Sequence, residues 1–206
     1  MKKTIIIPVF AIIMAFMSFN FPMQTSTGYN PGDKAADFTL KNIDGSMVTL
    51  SAMKDIKGAI VVFTCNHCPF AQMYEQRIIA LHNKYAPKGY PVVAINPNDT
   101  KVQPEDSYEN MQKRASQMKY PFVYLLDDTQ ATAKAYGAQR TPHVYVLSKK
   151  DNAFTVEFIG AIDDNAQDAG KAAEKYVEKA IDELSAGKTV TTKTVKAVGC
   201  TIKWRS

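Results

Sequence analysis

Residues 58–64, GAIVVFT, form an unbroken apolar run rich in β-branched side chains. The run leaves no polar face for water, so a strand built from it must be covered on both sides. YPVVAINPN and FVYLLDD carry two further core strands. Between these runs the apolar period becomes helical. From Pro69 onward, Phe70, Met73, Tyr74, Ile78, Leu81 and Tyr85 fall on one side, and Pro87 and Gly89 end the pattern. His82, among apolar neighbours there, is expected to be a packing or surface residue rather than a ligand. PEDSYENMQKRASQMK opens with Pro104, suited to a first helical turn, and Met111 and Met118 mark its core face. TQATAKAYG predicts a short helix stopped by Gly137, and DAGKAAEKYVEKAIDELSAG an amphipathic helix ending at Gly187. TPHVYVLSKKDNAFTVEFIG predicts two strands joined by a polar turn at Lys149 to Asn152. Strands alternating with helices imply an α/β domain with a central mixed β-sheet flanked by helices. Alternation on both sides of Asp44-Gly45 adds an N-terminal β-hairpin with a two-residue turn.

The chain has 206 residues, 46% of them hydrophobic and 22% charged, which suits one globular domain. That domain is expected to span 28–187. The tail, 188–206, carries Cys200, and its β-branched residues favour an extended path packed on the domain and pairing with a sheet edge. Trp204, the only tryptophan, is expected to dock it. The net charge of +5 is scattered, as in KAAEKYVEKAIDE, with no basic block, which argues against nucleic acid as a partner. Residues 1–25 begin with two lysines and continue into an apolar run from Ile5 to Phe19, interrupted by Pro8. This pattern predicts a signal peptide, or an uncleaved anchor if it is retained. The protein is therefore expected to be exported, periplasmic or secreted, and to meet a membrane only through that segment. Thiols in such a compartment tend towards the oxidised form.

The motif CNHC follows the first core strand directly. It places Cys65 and Cys68 three residues apart, with His67 between them and Pro69 next. A helix N-terminus presents unpaired N–H groups and a partial positive charge, which predicts a lowered pKa at Cys65. Cys68, one turn on, lies within disulfide reach. Cys65 is expected to be the exposed attacking thiolate and Cys68 the buried resolving thiol. His67 is expected to tune the pair by favouring the Cys65 thiolate, which makes the disulfide more oxidising. No cofactor is implied.

FTCNHCPF after a core strand, together with the later RTPHVYVL, resembles the thioredoxin superfamily. Within it the chain is similar to the AhpC/TSA-type redoxins, the peroxiredoxin-like branch. PGDKAADFTLKNIDGSMVTLSAMK resembles that branch's N-terminal hairpin, and GCTIKW a C-terminal motif of one subgroup. The resemblance spans about Gly32 to Arg205. It implies a thioredoxin-like fold and a cis bond at Pro142, facing the cysteine pair. It also implies that the Thr141 backbone lies beside Cys65, where it can pair with a substrate's extended backbone. The partners implied are protein or small-molecule thiols and disulfides, with peroxides as an alternative.

The chain also departs from the family patterns. Thr64 stands where thioredoxins carry tryptophan before the first cysteine. Peroxiredoxins carry proline and threonine seven and three residues before the peroxidatic cysteine. Counting back from Cys65 gives Gly58 and Val62, and from Cys68 gives Val61 and Cys65. Arg140 stands two residues before Pro142 and is either a counterpart of the peroxiredoxin arginine or a surface residue. The leading function is thiol–disulfide oxidoreductase through Cys65 and Cys68. The alternatives are a thiol peroxidase resolved by Cys68 or Cys200, and a non-enzymatic copper or zinc site built from Cys65, Cys68 and a histidine such as His143. A lone CxxC without a second ligand pair favours redox chemistry over metal. Cys200 has two readings, a small packed residue or a third redox thiol.

Overall fold

All six residues of the strand Gly58–Phe63 are buried, as its apolar composition requires. The computed structural model describes residues 28–205, so the expected export segment, 1–25, lies outside the described residues. In chain order the elements are β1 (Lys34–Ala35), β2 (Thr39–Asn42), β3 (Met47–Thr49), β4 (Gly58–Phe63), α1 (Pro69–Tyr85), β5 (Val92–Asn96), α2 (Tyr108–Met118), β6 (Val123–Leu126), α3 (Ala131–Tyr136), β7 (Arg140–Thr141), β8 (His143–Lys150), β9 (Ala153–Gly160), α4 (Tyr176–Ser185) and β10 (Cys200–Thr201). Eight strands make one mixed sheet in the order β1-β9-β8-β4-β5-β6-β2-β3, and β10 pairs with β7 in a separate ribbon. β4, β5 and β6 run parallel; β8 returns antiparallel to β4.

The period-2 geometry of β4 divides its side chains between two cores. Ile60 and Val62 face one core with Tyr74 and Ile78 of α1, Met111 of α2 and Ile181 of α4. Ala59, Val61 and Phe63 face the other with Tyr136 of α3 and Leu50. Both faces are thus dry, and the sheet delivers the end of β4 rigidly to the start of α1. Among the described residues no helix is long and apolar enough to cross a membrane.

Several boundaries differ from expectation for physical reasons. The hairpin turn holds three residues, not two: the Asn42 N–H donates to Ser46 O at 2.8 Å, and Gly45 takes φ 87°. Only glycine adopts that φ readily, so Asp44-Gly45 marks the turn but not its length. Pro104 opens a separate 3₁₀ turn, 104–106, and α2 starts after Ser107, whose hydroxyl caps the Asn110 N–H. α4 begins only at Tyr176, because Asp168 instead caps a 3₁₀ turn by accepting from the Gly170 N–H at 2.9 Å. On α1, Met73 faces solvent and Phe70 is half-buried, while Ala71 and Glu75 turn inward. His82 packs, its Nδ1 accepting the Val92 N–H. Trp204 is 38% exposed, and it is Ile202, 3% exposed, that docks the tail into the second core. The tail is extended, bridging Ile159 at Thr194 and pairing with β7 at Cys200.

Candidate active site

Cys65 follows β4 and Cys68 is the N-cap of α1, with Pro69 at the first helical position, where a missing N–H costs nothing. Both sulfur-bearing residues are buried, Cys65 at 5% and Cys68 at 0% exposure. Cys65 is therefore not the exposed residue the sequence predicts, although it is the nearer of the two to solvent. The Thr141–Pro142 peptide bond is cis. The preceding residue touches both cysteines: Thr141 Oγ1 lies 3.2 Å from Cys65 Sγ, and Thr141 O lies 3.2 Å from Cys68 Sγ, placed to accept from the protonated thiol.

His67 Nδ1 lies 3.6 Å from Cys65 Sγ and 2.6 Å from Asp106 Oδ2. Asp106 is fully buried and comes from the 3₁₀ turn after β5. Its Oδ1 accepts the backbone N–H of Asn66 at 2.7 Å and of His67 at 3.1 Å; its Oδ2 also accepts Asn98 Nδ2–H at 2.7 Å. The carboxylate thus ties down the backbone of the CNHC loop and aims the imidazole edge at the Cys65 sulfur. Asn66 is held in turn, its Oδ1 accepting the Tyr124 hydroxyl at 3.0 Å. Nothing in the sequence analysis singled out Asp106. Its only local signal is an acidic residue directly before the helix cap Ser107, a pattern shared with many solvated first-turn charges.

The electrostatics correct one expectation. Cys65 is pushed up, because it donates its proton to Cys68, is buried, and faces the Asp106 carboxylate. Cys68 is held down at about 4, first by the Cys65 thiol and also by the Cys200 thiol and the Ala71 N–H. The Ala71 N–H of the first turn favours the Cys68 thiolate, and the Cys68 N–H favours that of Cys65. The contact between the two thiols is the leading cause of both shifts, upward at Cys65 and downward at Cys68.

The tail reaches this site. β10 pairs antiparallel with β7, setting Cys200 opposite Thr141 and Thr201 opposite Arg140. Cys200 packs on the cluster of Cys65, Cys68 and Ala71. Arg140 Nη1 donates to Gly199 O at 2.9 Å, so its guanidinium holds the tail. His143 starts β8; burial pushes its pKa down to about 4, and its Nδ1 accepts the Gln139 N–H. Among the described residues, the donor group close enough to hold a metal is Cys65, His67 and Asp106, within 4.8 Å of one another. It does not include His143, and both Asp106 oxygens already accept protein donors. A cavity of about 160 Å³ lined by Arg77, Leu81, Ile162 and Asp163 has no cysteine in its wall.

The geometry can be set beside known proteins. A family model described as AhpC/TSA family matches residues 31–176. No match was found among curated proteins. An uncharacterized conserved protein from Geobacillus kaustophilus is 39% identical with a TM-score of 0.78, over 85% of this chain and 92% of that one. A hypothetical protein from Sinorhizobium meliloti 1021 is 34% identical with a TM-score of 0.79, over 87% of this chain and 97% of that one. A putative thiol:disulfide interchange protein DsbE from Chlorobium tepidum is 25% identical with a TM-score of 0.53, over 63% of this chain and 84% of that one. The curled mixed sheet with its flanking helices is thioredoxin-like.

Proposed function

Because the chain belongs to the AhpC/TSA family, we propose that it is an exported thiol–disulfide oxidoreductase whose redox pair is Cys65 and Cys68. The observation that supports this most is the placement of both sulfurs at the start of α1, in contact with Thr141 beside the cis proline. In the oxidised form a substrate thiolate attacks Cys65 Sγ, the more accessible sulfur. The Cys65–Cys68 bond breaks, a mixed disulfide forms, and Cys68 leaves as a thiolate. A second substrate thiolate attacks the substrate sulfur of the mixed disulfide and releases Cys65, so the substrate gains a disulfide and the enzyme becomes a dithiol. Cys68 leaves beside the Cys200 thiol and the Ala71 N–H, both of which favour its thiolate. His67, whose Nδ1 lies 3.6 Å away, is held at the Cys65 sulfur by Asp106. Export, read from residues 1–25, would place the pair in a compartment that favours disulfides.

The test is disulfide exchange with insulin and with glutathione. The full chain should catalyse both, with a Cys65–Cys68 potential more positive than about −270 mV. Cys65→Ser should lose at least about 100-fold in rate, and unchanged rates in that variant would sink the assignment. A thiol peroxidase is the second reading. It is favoured by the Thr141 hydroxyl at 3.2 Å from Cys65, which reaches the sulfur from β7 rather than from the preceding strand. Saturable peroxide consumption that disappears in Cys65→Ser would establish it.

A further inference from the structure

β7 is a two-residue strand beside the redox pair, and its edge is occupied by the chain's own tail. The occupation is built rather than incidental. A Cβ on Gly199 would fall 2.2 Å from Thr141 O and 3.0 Å from Pro142 N, so only glycine lets the tail come this close. Downstream of Cys200, the Ile202 N–H donates to Gln139 O at 3.1 Å, and the Lys203 N–H to Asn98 Oδ1 at 2.8 Å. Arg205 closes the anchor on Asp99 at 2.7 Å. Upstream, the Val195 N–H donates to Ile159 O at 3.0 Å. Cys200 is therefore held from both sides against the cluster of Cys65, Cys68 and Ala71, opposite Thr141, whose carbonyl oxygen meets Cys68 Sγ. Cys65 and Cys68 both belong to that cluster, and of the two it is Cys68 whose charge responds to Cys200.

Building on the oxidoreductase reading, we propose that Cys200 is a third redox thiol that exchanges with the Cys65–Cys68 disulfide at Cys68. The Cys200 thiolate attacks Cys68 Sγ. The Cys65–Cys68 bond breaks, Cys68–Cys200 forms, and Cys65 leaves as a thiolate and takes up a proton in place of the one Cys200 lost. One disulfide is consumed and one is made, so no external oxidant or reductant enters. The oxidised protein then exists as two isomers. In one, Cys65 is oxidised and open to substrate thiols. In the other, Cys65 is a free thiol while the oxidising equivalents are stored at Cys68–Cys200, and the tail is covalently fixed on the β7 edge. A protein client that pairs its backbone with Thr141 must displace β10 in the first isomer and is excluded in the second. Small thiols need no such edge.

The experiment is disulfide mapping by mass spectrometry of the full chain, equilibrated in glutathione buffers of graded potential and trapped by alkylation. The two isomers contain the same number of electrons. Both the Cys65–Cys68 and Cys68–Cys200 peptides should therefore appear, in a ratio that stays constant across the series. In Cys65→Ser, Cys68–Cys200 should form directly; in Cys200→Ser, only Cys65–Cys68 should remain. Cys65–Cys68 as the sole intramolecular disulfide in the wild-type chain at every potential overturns the third-thiol role and leaves the oxidoreductase assignment standing. Absence of Cys65–Cys68 in both wild type and Cys200→Ser overturns the assignment itself. Because the decisive reading comes from the wild-type chain, a variant that fails to fold does not obscure it.

Discussion

Glu75 and Asp106 are both buried carboxylates near the same helices, yet they are satisfied in opposite ways. Glu75, on α1, accepts Arg114 Nε–H at 2.6 Å together with a second guanidinium N–H and the Tyr120 hydroxyl. Its charge is cancelled by a permanent cation, and the group joins α1 to α2. Among the described residues Asp106 has no guanidinium or ammonium partner. Two backbone amides, one side-chain amide and an imidazole supply its hydrogen bonds, and its charge is felt at Cys65. A carboxylate matched by arginine is spent on architecture. One held by neutral donors and a titratable ring keeps a field that acts on the thiol beside it.

The contrast fails if Glu75→Ala is not the more damaging change to stability. Leaving Arg114 partly buried without its partner should cost about 3 kcal/mol in urea unfolding, with the glutathione equilibrium of the cysteine pair unchanged. Asp106→Asn should cost less, about 1–2 kcal/mol, since several hydrogen bonds survive, but it should change the chemistry. The carboxylate pushes Cys65 up, so removing its charge favours the thiolate. Iodoacetamide labelling of Cys65 should then reach half its maximal rate at lower pH, and the disulfide should become more oxidising. A shift towards higher pH would mean that loss of imidazole alignment outweighs loss of the charge. The smallest effect is expected at Ser107→Ala, which removes the α2 cap next to Asp106 without touching a charge. It should lower stability by about 1 kcal/mol and leave the labelling profile in place. A displaced profile there would show that position, and not charge, carries the influence of Asp106.

The residues legible in the sequence are those whose role depends on near neighbours. GAIVVFT announces β4 because burial on both faces needs an apolar residue at every position. CNHC announces the sulfur pair because three residues span one helical turn. Asp106 is silent because its meaning arises from the 3₁₀ turn that folds it back onto a loop 40 residues earlier. The helix forecast for DAGKAAEK gives way to a loop because Asp168 caps locally, a competition that helix periodicity does not register. Trp204 misleads for a related reason. Size suggests an anchor, but the strand register turns Ile202 inward and leaves the indole half in water, with Lys134 above it. The upward push on Cys65 is equally silent, since the Asp106 carboxylate that contributes to it arrives through that same 3₁₀ turn.

The pairing of β10 with β7 has a consequence for the protein at high concentration. A bare β7 would present the unpaired N–H and C=O groups of Arg140 and Thr141 next to reactive sulfurs. Such an edge recruits strands from other molecules and would hold a captured strand beside the cysteines. By covering its own edge, the tail keeps two copies of the protein from pairing through β7.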